Sequence, residues 1–242
     1  MKEKSITIDA KYKYDLAHLK MQLKHSSKCL IVSEFEVDND YSLMFACKDE
    51  HLSMLNNIVA QNLMNFYVFR YKKQYLEQRL NLADVEKIFV PAYICALAQF
   101  DTFTDKEIAL TADYTHDKII VFSFLYFRLQ NLIQRWKTII KLTNENISTF
   151  KKTNAMIDLL CYLVKNLQSN KKEINLQFTE NGIKIYDNNS ISFETNSQSK
   201  VDIANTIAVL IKLSPQRLIV QSMYPNAHID TIRRIFDEKI VQ

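Results

Sequence analysis

DKIIVFSFLYFRLQNLIQRWKTIIK, residues 117–141, closing on Leu142, is the stretch around which the rest of the chain is organised. Phe122, Leu125, Leu129, Leu132, Ile133, Trp136, Ile139 and Ile140 recur at steps of three and four, which gathers them on one face of a helix. That face has to be buried. Ile120, Phe124 and Phe127 lie off the stripe in the first half, whereas Asn131, Gln134, Arg135 and Lys141 hold that side in the second. The spacing therefore predicts one helix that enters a core and leaves along a surface. A membrane span would need about twenty largely apolar residues, and Arg128, Gln130, Asn131 and Gln134 interrupt the run. Lys118, Arg128, Arg135, Lys137 and Lys141 make the block basic, but on a helix they flank the apolar stripe on both sides. Such cations lay their stems along the core edge and keep their heads in water.

The chain has 242 residues, of which 48% are hydrophobic and 24% charged, with a net charge of +4. That balance belongs to a globular protein with a sizeable core. The lysines and arginines are spread along the whole length, so the small positive excess singles out no partner. One number excludes a great deal: Gly182 is the only glycine. A phosphate-cradling P-loop, a dinucleotide-binding GxGxxG turn, a kinase glycine-rich loop and a GxSxG nucleophile elbow each need several glycines for positive φ or close backbone approach.

Cys29, Cys47, Cys95 and Cys161 form no CxxC pair and have no histidine at ligand spacing, which points to isolated thiols with neither a zinc site nor a disulfide framework. His18 and His25 stand seven apart on one helix, about 10 Å along its axis, too far to share an ion. Asp84 with Glu86, and Asp237 with Glu238, are not spaced to face one site on a helix, as a general acid and base must. No catalytic residue, metal or cofactor is expected. MKEKSITIDA at the start lacks an apolar segment and a small-residue cleavage site, so a cytoplasmic location is expected.

Working outward, Ser5–Ala10 alternates as a strand, and Tyr12, Leu16, Leu19 and Leu23 stripe a helix behind it. The runs from Cys29 and Tyr41 flank Asp38, Asn39 and Asp40, a hairpin signal. Leu52 to Leu80 contains neither proline nor glycine and reads as one long helix or two in line. Asn81–Asp101 is a helix with Pro91 as a break or kink, Thr102–Asp117 is polar and reads as a connection, and Leu142–Asn154 is too rich in Asn, Ser and Thr for a continuous helix. A helix resumes over 155–167. Ile174–Phe193 places Asn181 and Gly182 between two alternating runs, the clearest hairpin in the chain. Val201–Leu213 is an apolar helix stopped before Pro215, a short strand starts at Leu218, and a terminal amphipathic helix starts at His228. The fold class expected is α+β: long helices in the middle of the chain packed with two small mixed lobes, one at each end. All 242 residues read as a single domain, with a β-α-β-β lobe over 1–50, a helical middle over 51–170 and a ββαβα lobe over 171–242.

Two places could grip an anion or a partner. Arg70, Lys72, Lys73 and Arg79, with Tyr71 and Tyr75 between them, crowd the end of the long helix, where cations also complement the helix dipole. Arg128 stands among apolar residues and is expected to meet a carboxylate as a half-buried ion pair unless it serves a partner. Nucleic-acid binding by these cations, with Arg135, Lys137 and Lys141, is the alternative to an unidentified protein partner.

The residues of the second half also carry a resemblance. FSFLYFRL, Phe122 to Leu129, resembles the FxxFRL helix of the YtxC-like sporulation proteins of endospore-forming bacteria. LSPQRLIVQS, Leu213 to Ser222, is similar to that family's LAPxxIIIH segment, and IDTIRRIFDEKI, Ile229 to Ile240, to its ETIxxIFxxRV helix, with the hairpin at Asn181 and Gly182 between them. Gln221 replaces a usual histidine. The resemblance implies a cytoplasmic protein linked to sporulation and carries no biochemical activity over; together with the lack of a catalytic set, it makes an interaction or regulatory protein working through protein contacts the expected function.

Overall fold

The computed structural model describes residues 1–188, 190–222 and 227–241. In chain order the elements are β1 (Lys2–Asp9), α1 (Ala17–His25), β2 (Cys29–Val37), β3 (Asp40–Cys47), α2 (Leu52–Asn65), α3 (Lys72–Glu77), α4 (Val90–Gln99) and α5 (Thr102–Leu110). There follow β4 (Lys118–Ile120), α6 (Val121–Arg128), α7 (Gln130–Asn146), α8 (Thr153–Asn166), β5 (Lys171–Thr179), β6 (Gly182–Asp187) and β7 (Ser190–Glu194). The chain ends with α9 (Lys200–Leu213), β8 (Pro215–Ser222), α10 (Ala227–Ile235) and β9 (Ile240–Val241). The class is α+β, with two mixed sheets ordered β2-β3-β1-β4 and β7-β6-β5-β8-β9. Two compact units interleave along the chain: residues 1–72 with 101–137, and residues 73–100 with 138–242.

In the first unit Ile6 and Ile8 of β1 and Leu43 and Phe45 of β3 present one apolar face, and Leu19 and Leu23 of α1 are buried with them. Alternation on strands and a three-to-four step on the helix produce this face directly. The hairpin between β2 and β3 turns at Asp38 and Asn39, and Asp38 takes φ 53°, the positive value that primed hairpin turns require. The central stretch differs from one helix. Its first residues pair with β1 as a parallel strand, Ile6 opposite Ile119, and Ser5 N–H donates to the Asp117 carbonyl at 2.8 Å. Two adjacent β-branched isoleucines favour that strand. Leu129 (φ −114°, ψ 35°) then leaves the helical region between α6 and α7. Most of the stripe is buried, Leu125, Leu129, Leu132, Trp136 and Ile140 among it. The off-stripe Phe124 is buried too, and its ring stacks with Tyr67 and Tyr114.

Between α2 and α3 the chain makes a turn of π-helix, Phe66–Tyr71. An inserted residue of this kind rotates everything after it by about 100°, one step of a 3.6-residue turn. Buried residues accordingly move from Leu55, Val59 and Leu63 to Lys72, Tyr75 and Leu76. The segment expected to be a connection instead forms α5, because its polarity hides an inward-facing acid, Asp105, 1% exposed.

In the second unit Pro91 sits in the first turn of α4, where its missing N–H costs nothing, so it starts the helix and does not kink it. Polar Leu142–Asn146 stays helical as the end of α7, and the chain breaks later, around 147–152. Ile174, Leu176 and Phe178 of β5 face the core with Ile183 and Ile185 of β6, and β5 pairs with β8 in parallel, Leu176 opposite Val220. The expected hairpin range also contains Asn189, which lies outside the described residues. α4 packs against α8 and α9, and Gln99 Nε2 donates to the Ile211 carbonyl at 2.7 Å.

Candidate functional site

Charge is buried in the first unit at two places. On β1, Lys4 shares a face with Ile6 and Ile8, so alternation alone directs it into the core, where it is 2% exposed. Its Nζ donates to Asn56 Oδ1 at 2.5 Å and to the Tyr114 carbonyl. Desolvation holds this amine below the usual lysine value, against the pull of Asp117 and Asp113. Nearby, the π-turn delivers Lys72 to Asp105: Nζ and Oδ2 are 2.7 Å apart and the two side chains are 0% and 1% exposed. Trp136 Nε1 lies 3.4 Å from the same oxygen, and Arg135 Nε lies 3.4 Å from Oδ1 while its guanidinium also binds Asp101. Burial pushes the Lys72 amine down, and the charge of Asp105 opposes that.

A lysine with a depressed pKa is a nucleophile in other settings. Here it is sealed from solvent and its proton is held by a carboxylate, so the arrangement ties Asp105 of α5 to Lys72 at the end of the π-turn and to Arg135 and Trp136 of α7. Removing either partner would strand the other charge. Asp105 and Lys4 were not among the residues singled out by spacing. Lys4 had a signal in its phase with Ile6 and Ile8.

The basic surface expected over residues 70–79 is broken up. Lys72 is withdrawn into the core by the phase change of the π-turn and is no surface group. Arg70 Nε meets Asp15 at 3.1 Å, Lys73 meets Glu77 at 3.2 Å one helical turn away, and Arg79 lies over the Tyr75 ring, 3.9 Å from its centroid. Of the flanking cations of α7, Lys141 lies 4.0 Å from Glu145.

Arg128 departs from expectation in the opposite sense. It is exposed, not a half-buried ion pair, because it falls at the last residue of α6, where the chain turns at Leu129. Its Nη2 lies 3.5 Å from His116 Nε2, and that nitrogen is 3.8 Å from Asp113. Asp113 accepts from the N–H and hydroxyl of Thr115, which keeps its carboxyl below the ordinary range and shapes the loop that carries His116. Beside Arg128, Tyr126 and Phe127 are 64% and 68% exposed, their rings packed edge to face at 5.2 Å. The end of α6 thus presents two aromatic rings and a guanidinium to solvent.

In the second unit a cleft of about 620 Å³ is walled by Phe89, Pro91, Val201 and Ala204, with Lys87 and Lys200 also lining it. Glu86, another lining residue, accepts a hydrogen bond from Thr153. Among the described residues no group of three or more His, Cys, Asp or Glu is arranged to hold a metal ion, and no helix is long and apolar enough to cross a membrane.

No curated protein and no solved structure matches the chain. The profile of the YtxC-like family matches residues 104–241, more than half of the chain, from α5 through both helices of the central stretch to the last strand. On that match, which takes in the exposed end of α6, the chain belongs to the YtxC-like family.

Proposed function

We propose that this chain is a cytoplasmic sporulation protein that works by contact with another protein and not by catalysis. The observation that carries the reading is the exposure of Tyr126, Phe127 and Arg128. These residues lie in the very segment, FSFLYFRL, that carries the likeness to the family's helix. Buried, Phe127 and Arg128 would have an ordinary packing role; in water they do not. Aromatic rings beside an arginine are the composition of interface anchors, where a few such side chains supply most of the binding energy. The charge of Arg128 suits a partner whose apolar pocket is rimmed by carboxylates.

Nucleic-acid binding through Arg70, Lys73 and Arg79 has less support, since Lys72 is buried and each of the other three already has a local neighbour. The test is Phe127→Glu and Arg128→Met introduced separately into the gene of an endospore-forming host. Both should leave the purified protein within about 0.5 kcal/mol of the parent stability, as exposed positions do, while lowering the yield of spores. Normal spore yield in both variants, or turnover by the purified protein in a broad substrate screen, would remove the proposal.

A further inference from the structure

Strand β2 forms one edge of the four-stranded sheet, with β3 on one side of it and, among the described residues, no strand on the other. Natural edge strands are guarded, because a row of open N–H and C=O groups invites pairing with another chain; the usual guards are shortness, proline, lysine and bulges. β2 is nine residues long, and Ile31–Val37 is regularly paired beyond an irregularity at Cys29/Ile31. That run, IVSEFEV, contains no lysine and no proline. Three of its exposed side chains are large and apolar, Ile31 59%, Phe35 46% and Val37 58% exposed, beside the exposed Ser33, Glu34 and Glu36. The two charges it does carry already have partners on their own chain, which lessens their guarding effect without removing it: Glu34 binds Lys20 at 2.5 Å and accepts from the Tyr41 hydroxyl at 2.6 Å, and Glu36 binds Lys13 at 3.0 Å.

The register of the hairpin decides which groups are open. Val37 and Asp40 close a two-residue turn, so Val37, Phe35, Ser33 and Ile31 direct their main-chain groups at β3. Val32, Glu34 and Glu36 direct theirs outward. A second β2 running antiparallel must therefore bring even-numbered residues opposite even-numbered ones. With the two-fold axis at Ser33, Val32 faces Glu34 of the other copy and Ile31 faces Phe35, twice by symmetry. Moving the axis to Glu34 sets that carboxylate against itself, and moving it to Phe35 sets Glu34 against Glu36, both unfavourable for like charges directly opposite. Moving it to Val32 places Ile31 against Ser33 and loses the apolar pair. The sequence of the edge is thus self-complementary about Ser33.

We infer that two copies of this chain pair through β2, antiparallel and centred on Ser33, so that their four-stranded sheets join into one continuous sheet. This is the isologous form of strand addition. It is separate from the end of α6 and does not depend on the sporulation reading.

In a non-hydrogen-bonded pair of this kind opposite Cα atoms lie about 4.5 Å apart, within disulfide reach. Ser33→Cys, oxidised in solution, should yield a covalent dimer through the introduced thiols, well above the level given by the four native cysteines of the parent. Light scattering should give twice the mass of one chain for the parent, and the mass of a single chain for Phe35→Lys, whose circular dichroism spectrum should match that of the parent while its melting temperature no longer depends on protein concentration. A parent that remains monomeric at every concentration tested would overturn the inference and leave the edge to a strand of another protein. A dimer that persists in Phe35→Lys, or that fails to cross-link at position 33, would overturn it equally.

Discussion

Lys72 and Asp105 are held 2.7 Å apart with both side chains closed off from water, although 32 residues separate them in the chain. A buried pair of this sort adds little net stability over a well-packed apolar pair, but losing one member leaves a bare charge in a low dielectric. Lys72→Met should therefore cost about 3–5 kcal/mol, and Lys72→Met with Asp105→Leu should recover most of that loss. Equilibrium urea unfolding of the two variants measures it. Equal destabilisation in both would show that the side chains contribute through packing or through Arg135 and Trp136 instead.

Gly182 opens β6 with φ +152°, and a Cβ placed there would stand 1.9 Å from the Thr195 carbonyl oxygen. Thr195 is locked in place, since its N–H donates to the Ile183 carbonyl at 2.9 Å and its hydroxyl accepts from the Ile183 N–H at 3.0 Å. The glycine is required by this close approach more than by the turn that precedes it. Gly182→Ala should lower stability by about 1–3 kcal/mol, as overpacking does, and thermal unfolding reads the loss directly.

Titration at alkaline pH should separate the buried amines from the buried phenols and thiols. Burial raises the phenols of Tyr41, Tyr67, Tyr93 and Tyr114 and the thiols of Cys47 and Cys95, the last to about 11. The folded chain keeps these protons when the unfolded chain releases them, so their contribution is complete below the unfolded values and falls as pH rises past 9.0 for the thiols and 10.0 for the phenols. Lys4 runs the other way. Its amine is lowered from 10.5, so between its folded value and 10.5 the unfolded state holds more protons and stability rises with pH. The stability difference between the parent and Lys4→Met should shift in favour of the parent across that window. Urea midpoints of both proteins from neutral pH to 10.5 check the sign.

Helices and strands whose polar faces meet water were legible in the sequence. The hairpins at Asp38 and at Gly182, the helix ending before Pro215 and the terminal amphipathic helix all follow from alternation, turn residues and the 3.6-residue step. What periodicity misses is polar material turned inward. α5 reads as a connection because Asp105 faces the core to meet Lys72, and Lys72 reads as a surface cation because a single inserted residue in the π-turn moves the inward face by one position. The strand β4 went unseen for a different reason: its three residues gain their stability from pairing with β1, more than a hundred positions away, and only the adjacent isoleucines hint at it. At the end of α6 the error has the opposite sign, since Phe127 and Arg128 have the apolar company of core residues yet stop the helix at its exposed end.

The family profile begins at residue 104, in the middle of a physical object. β4 lies inside that boundary, and β1, the strand it pairs with, lies outside; Asp105 is inside and Lys72 outside. A fragment cut at the boundary would carry an unmated strand, an uncompensated acid in an apolar setting and the bare faces of Phe122 and Phe124, whose neighbours Tyr12 and Tyr67 had been left behind. The stretch of this chain that the profile matches is therefore not a self-sufficient folding unit, and residues 104–241 expressed alone should not reach the stability of the whole.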